Sequence, residues 1–120
     1  MTDITVISYE ADDSVNINGT SYQGELTATY SELCEVFGKP TYTDADPYEK
    51  VNAEWSVDVV IADPWPVWDE TETCNEVFTI YNWKTEGIPT EKYKWHIGGR
   101  SGSGVVVEIA NTIFKNNLSS

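Results

Sequence analysis

The residues able to do chemistry are few and scattered. The chain has one histidine, His96, in KWHIGG (94–99), two cysteines, Cys34 and Cys74, and a glycine-rich run, GGRSGSG (98–104), holding Arg100, Ser101 and Ser103. Strand alternation sets His96 opposite to Trp95 and Ile97. A catalytic histidine needs a nucleophile or carboxylate beside it, and a hydrogen-bonded structural His at a sheet edge is the plainer reading. One His and two distant Cys lack the C-x2-C type of spacing that holds zinc. Backbone N–H groups of the glycine run, with Arg100 and Ser101 or Ser103, could cradle a phosphate while Trp83, Tyr93 or Trp95 stacks on a base. The run lacks the Gly-Lys-Ser/Thr close of a Walker A loop, so a plain strand-to-helix loop competes with that reading. No catalytic residue, metal or cofactor is expected, and an enzyme is not the reading taken.

A second group of candidates is acidic. Asp44, Asp46 and Glu49 form a DxD-like cluster without the Gly and Glu spacing of an EF-hand loop. Asp63, Asp69, Glu70, Glu72 and Glu76 form another run, and Trp65 and Trp68 stand within it. Acids spaced along an exposed scaffold can imitate nucleic-acid phosphates, and indoles between them can anchor in a partner's groove. The competing readings are a solvated loop and two Trp folded back over the core.

The charge balance frames this choice. Twenty acids face seven bases, for a net charge of −13 over 120 residues. Residues 1–80 carry 17 of the acids and only Lys39 and Lys50, whereas residues 81–120 carry three acids and five bases. Such a chain repels nucleic acid and anionic membranes; its natural partners are basic surfaces or cations, and a self-repelling surface that only aids solubility is the competing reading. No apolar run reaches the roughly 18 residues of a membrane span, and MTDITVISYE has no basic n-region or cleavage site of a secretory signal. The cysteines then read as free thiols in a reducing compartment, with one disulfide as the alternative.

The elements that must hold these residues are legible in part. Residues 3–9 (DITVISY) read as a strand. Asn18-Gly19 predicts a hairpin between Val15–Ile17 and Thr20–Gln23, with Gly24 breaking the pattern. Thr29 with Glu32 makes a capping box, Tyr30, Leu33, Cys34 and Phe37 share one helical face, and Gly38 and Pro40 end the helix. Residues 41–50 read as an acidic loop and 51–62 as a strand. Residues 63–75 (DPWPVWDETETCN) read as an exposed connection. Val77–Lys84, apolar on both faces, reads as a central strand paired with Tyr93–Ile97 across a turn at Thr85–Thr90. Gly104–Leu118 has a helical period, with Ser103 as its cap. Together these predict one α+β domain over residues 1–120: an antiparallel sheet of about five strands, with a short internal helix and a C-terminal helix packed on one face.

NINGTSYQGELTATYSELCEVFGKP (16–40), VNAEWSVDV (51–59), FTIYNWK (78–84) and YKWHIGG (93–99) together resemble a family of small bacteriophage accessory proteins. Its members share a strand ending in Gly-Thr-Ser, a helix ending in Phe/Leu-Gly-x-Pro, an aromatic strand with Tyr-x-Trp-Lys and a Trp-His-Ile/Val-Gly-Gly segment. The resemblance implies a phage protein acting in the host cytoplasm and brings no catalytic residues; the 63–76 insert is not part of it. With the charge, it suggests a non-enzymatic inhibitor of a host nucleic-acid-binding defence system, of anti-CRISPR or anti-restriction type. Its partner would be a basic host protein rather than nucleic acid itself. The alternative is a binder that sequesters a nucleotide signal through the Gly98–Gly104 loop.

Overall fold

Alternate residues of one ten-residue strand set the layering. Ala53, Trp55, Val57, Val59 and Ile61 are buried on one side of it, while Glu54, Asp58 and Val60 lie half-buried on the other. That is the period-two pattern of a strand with one face on a core. The computed structural model describes residues 5–62, 73–100 and 105–118. Its elements are β1 (Thr5–Ala11), β2 (Ser21–Ala28), α1 (Tyr30–Phe37), β3 (Tyr42–Thr43), β4 (Ala53–Ala62), β5 (Thr73–Tyr81), β6 (Tyr93–Gly99) and α2 (Val105–Asn117). The strands form one antiparallel sheet in the order β1-β4-β5-β6-β2, and the short β3 continues the β1 edge along β4. This is the α+β sheet-and-helix arrangement expected, with β5 at its centre.

Both helices pack on the same face. Phe37 of α1 meets Tyr9 and Phe78 edge-on at 5.7 and 6.2 Å. From α2, Val106, Ile109, Ala110 and Ile113 enter the core. Close approach of α2 depends on two glycines of the sheet. A Cβ on Gly99 would lie 2.4 Å from Val106 Cγ2, and one on Gly24 would lie 2.8 Å from Val107 Cγ2.

The N-terminal hairpin is corrected. Asn18-Gly19 does turn the chain, with Gly19 at φ 82°, and Thr20 N–H bonds Ile17 O. Residues 15–17 form no strand, however. The chain leaves the turn into β2, which runs through Gly24 and pairs with β6 at the far edge of the sheet. A bulge at Gln23 keeps the alternation in step. The expected exposed connection also ends sooner, because β5 begins at Thr73 and Glu76 pairs with Val59 within the sheet. Cys34 is a free thiol, half-buried against the core. No helix among the described residues is long and apolar enough to cross a membrane.

Candidate functional site

The sheet face opposite the helices carries one unbroken row of side chains. Tyr42 of β3 stands across from Glu54 of β4, Glu54 from Tyr81 of β5, Tyr81 from His96 of β6, and His96 from Glu25 of β2. Directly opposed residues share a face, so strand pairing alone brings these five groups together. Tyr22, opposite Gly98, lies one step along the same face. A Cβ at Gly98 would sit 2.6 Å from Thr79 Oγ1, so glycine there makes room for the Thr79 side chain.

Four rings make the centre of this face. His96 touches Tyr22 and Tyr81 edge-on, with centroids at 4.9 and 5.4 Å. Trp83 lies nearly parallel to His96, at 22° and 6.4 Å, and edge-on to Tyr81 at 6.3 Å. Together they line an open hollow of about 360 Å³. Tyr22 and Trp83 remain 54% and 41% exposed. Exposed rings gathered in one patch, unlike singly scattered ones, make a candidate contact site.

Trp83 is held where it is by a buried amide pair. Asn52 and Asn82 are both fully buried. Asn82 Oδ1 accepts from the N–H groups of Asn52 and Ala53 at 2.7 and 3.0 Å, and its amide donates to Asn52 Oδ1 and Thr85 Oγ1. Asn52 Nδ2 donates to the carbonyls of Asp44 and Asp46, and its Oδ1 accepts from Gly87 N–H. Three loops are thereby tied together with every amide group used. Past this clip the backbone is forced to positive φ at Lys84 (53°), Glu86 (56°) and Gly87 (112°). For the two non-glycine residues this conformation is strained. Trp83 N–H bonds the Tyr93 hydroxyl, and Lys84 N–H bonds Lys50 O at 2.7 Å. Both lysine ammoniums consequently lie over the Trp83 ring, 6.0 Å from its centroid for Lys50 and 5.7 Å for Lys84.

Glu54 is the odd charge of the row. Its half-buried carboxylate finds no hydrogen-bond donor among the described residues. Burial pushes its pKa above the ordinary glutamate value. Tyr81 is pushed up as well, by burial first and by Glu54 second. His96 makes no hydrogen bond among the described residues; it packs between rings on a strand flanked on both sides, not at an edge.

The expected site residues distribute unevenly. Asp44 and Asp46 spend their carboxylates on their own loop, accepting from the N–H groups of Asp46 and Tyr48 at 2.9 Å each, and Glu49 is exposed beside them. Glu76 shares the helix-bearing side with Val59, away from the aromatic row. Asp63, Trp65, Trp68, Asp69, Glu70 and Glu72 lie outside the described residues. Of the set drawn for a nucleotide, Ser101 and Ser103 lie outside them too. Trp95 is fully buried in the core, and Tyr93 packs edge-on against it at 5.4 Å. Arg100 donates from Nε to Asn18 O at 2.9 Å and from Nη2 to Asn16 O, so its guanidinium clamps the turn before β2. His96 and Trp83 alone of these aromatic candidates line the hollow. Sequence reasoning missed Tyr22, Glu54 and Tyr81 as site residues. The alternation of Tyr81 with Trp83 was visible, but the β2–β6 pairing that adds Tyr22 and Glu25 was not.

Among the described residues no three His, Cys, Asp or Glu side chains converge as metal ligands would. No protein-family model matches this chain, and neither a curated protein nor a solved structure is significantly similar to it.

Proposed function

We propose that the protein is a non-enzymatic inhibitor that docks, by its helix-free sheet face, on a cationic protein surface that otherwise holds nucleic acid. The observation that carries this reading is the make-up of that face. Its strands present four carboxylates, Glu10, Glu25, Glu54 and Asp58, against one ammonium, Lys94. Glu54 and Glu25 flank the row of aromatic rings, Glu10 and Asp58 line a second hollow farther along the face with Arg100, and the Lys50 and Lys84 ammoniums stand over Trp83. An aromatic centre within a charged rim is the anatomy of a binding hot spot. Glu10 and Asp58 stand directly opposite each other. Like charges so placed destabilise a strand pair, so their presence suits a surface shaped for a partner. The resemblance to small phage proteins supplies the setting: a host defence complex of CRISPR or restriction type.

Cleavage of a DNA target by such complexes, titrated with the protein at several salt concentrations, tests the proposal. A variant carrying Glu10→Gln, Glu25→Gln, Glu54→Gln and Asp58→Asn is expected to lose inhibition by at least about tenfold, as is fitting for loss of several charge contacts. A second variant reverses Asp69, Glu70, Glu72 and Glu76 to Lys and reports on the other acidic run. Unchanged potency in both, or inhibition insensitive to salt, discards the acidic-surface reading. A nucleotide-sequestering role stands second, on the two lysines beside Trp83.

A further inference from the structure

We infer that the hollow between Tyr22, Tyr81, Trp83 and His96 is a seat for a single arginine side chain presented by a basic polypeptide, with Glu54 as its carboxylate. This rests on the docking reading above and names the chemical group that anchors it.

Three observations converge on a planar cation. The first is ring geometry. Trp83 and His96 face each other at 22° with centroids 6.4 Å apart, and Tyr81 stands edge-on to both. The gap between them is too narrow for a planar group, but one laid on the exposed side of the Trp83 ring, which is 41% exposed, is within the roughly 6 Å over which a ring face attracts a cation. The second is the carboxylate. Glu54 is Tyr81's neighbour across the strands, half-buried, and has no donor among the described residues. Its oxygens keep access to solvent, since no side-chain oxygen among the described residues is both buried and unpartnered, and an incoming guanidinium offers two parallel N–H groups for them. Glu25, opposite His96, adds negative charge on the far side of the rings. The third is that two cations of the chain itself already stand at the site. Both Lys50 and Lys84 hold their ammoniums over the Trp83 ring. Both residues are exposed, on flexible stems, and can be displaced. A guanidinium is planar, less strongly hydrated than an ammonium and stacks on indole, so it competes well with either lysine.

The sign of the lysine effect separates this seat from an anion site. For a cation, Lys50 and Lys84 are competitors and repel it; for a nucleotide they would hold its phosphate.

The test uses the full chain and a blocked five-residue peptide, acetyl-Gly-Ser-Arg-Ser-Gly-amide, with counterparts in which lysine or citrulline replaces the arginine. Binding is followed by the ¹H–¹⁵N signals of the Trp83 indole and the His96 backbone. The arginine peptide is expected to shift both saturably and to bind at least about fivefold tighter than the lysine peptide, in keeping with the stacking advantage of guanidinium. Citrulline, planar but neutral, is expected to give no saturable shift. Trp83→Ala, at an exposed position, is expected to abolish the response, and the isosteric Glu54→Gln to weaken it about threefold to tenfold, the range for one charge-assisted contact. The double variant Lys50→Ala, Lys84→Ala is expected to bind the arginine peptide more tightly. Equal affinity for arginine and lysine, retention of binding in Trp83→Ala, or weaker binding in the lysine double variant overturns the proposal. So does adenosine monophosphate producing the same shifts when the arginine peptide produces none. An arginine seat that fails while salt-sensitive inhibition persists removes this inference alone. A seat that works without inhibition removes the docking reading's target and leaves the seat.

Discussion

Trp55 and Trp95 meet edge to face at 5.5 Å in the centre of the core, and their indole N–H groups bond the two carbonyls that bracket α1. Trp95 Nε1 donates to Ala28 O at 3.0 Å, just before the helix cap, and Trp55 Nε1 donates to Gly38 O at 2.9 Å, just after the last turn. An eight-residue helix has no stability of its own in water. Its capping box holds the start, and the two indoles fix both ends to the sheet. Trp55→Phe and Trp95→Phe each keep a ring and remove a donor, so each is expected to cost about 1–3 kcal/mol for the carbonyl left behind. Because the rings touch, the double variant should depart from additivity by about 0.5 kcal/mol or more. Urea unfolding curves of the four proteins measure both; strict additivity would show that the two indoles act separately.

How much of this was open to sequence reasoning follows from the range of each interaction. The capping box is a matter of four consecutive residues, and both bonds form as the spacing predicts, Thr29 N–H to Glu32 at 2.8 Å and Glu32 N–H to Thr29 at 3.1 Å. Alternation in KWHIGG sets His96 opposite to Trp95 and Ile97, as found, but does not say which face is buried, and Trp95, drawn as a base-stacking ring, lies in the core. Partner choice is another matter. Tyr22 pairs with Gly98, far away in sequence, and nothing in SYQG announces it against a local hairpin arm. The site depends on that pairing, and also on the positive φ of Lys84 and Glu86, which neither residue type favours. Hence the layers were legible and the hollow was not.

The seating of α2 gives a second prediction. Gly99 has no room for a methyl group because Val106 Cγ2 occupies that place. Gly99→Ala forces a fully buried β-branched side chain and its helix outward, an overpacking expected to cost about 1–3 kcal/mol. Val106→Ala alone opens space and is expected to destabilise as well. The combination should recover much of the Gly99→Ala loss, since the added methyl then fills the gap. Thermal melts of the three variants decide this; a double variant as unstable as the sum of the singles would place the strain elsewhere.

The Asn52–Asn82 clip links stability to the site. Asn82→Ala strips the Asn52 and Ala53 N–H groups of their acceptor and Asn52 of its amide partner. Each buried group left unpaired costs about 1–3 kcal/mol, so the variant is expected to lose several kcal/mol in urea unfolding. Milder is Thr85→Val, which removes the hydroxyl that accepts from Asn82 and donates to Gly87 O. It is expected to leave the fold intact yet raise amide hydrogen exchange at 83–87 and weaken the arginine-peptide response at Trp83. Unchanged exchange there would mean that the loop is held by its flanking strands rather than by the clip.

The last prediction concerns Glu54 and pH. Burial beside Tyr81 raises its pKa above the ordinary 4.5, so folding favours the neutral carboxyl over the carboxylate. A group raised on folding stabilises the native state below its unfolded pKa, and that contribution is lost as pH rises through the folded value. At pH 7 the ionised side chain therefore destabilises the protein. Glu54→Gln, neutral at every pH, should melt above the wild type at pH 7 and level with it at pH 3, where both side chains are uncharged. The same substitution should weaken the arginine peptide at pH 7, because the carboxylate is the group that receives it. A stabilising change that removes binding is the mark of a residue placed for a partner rather than for the fold. Melting curves of both proteins from pH 3 to 7, set beside the peptide titration at pH 7, give the answer; a Glu54→Gln protein less stable than wild type at pH 7 would mean that the carboxylate is paired in solution and is no open acceptor.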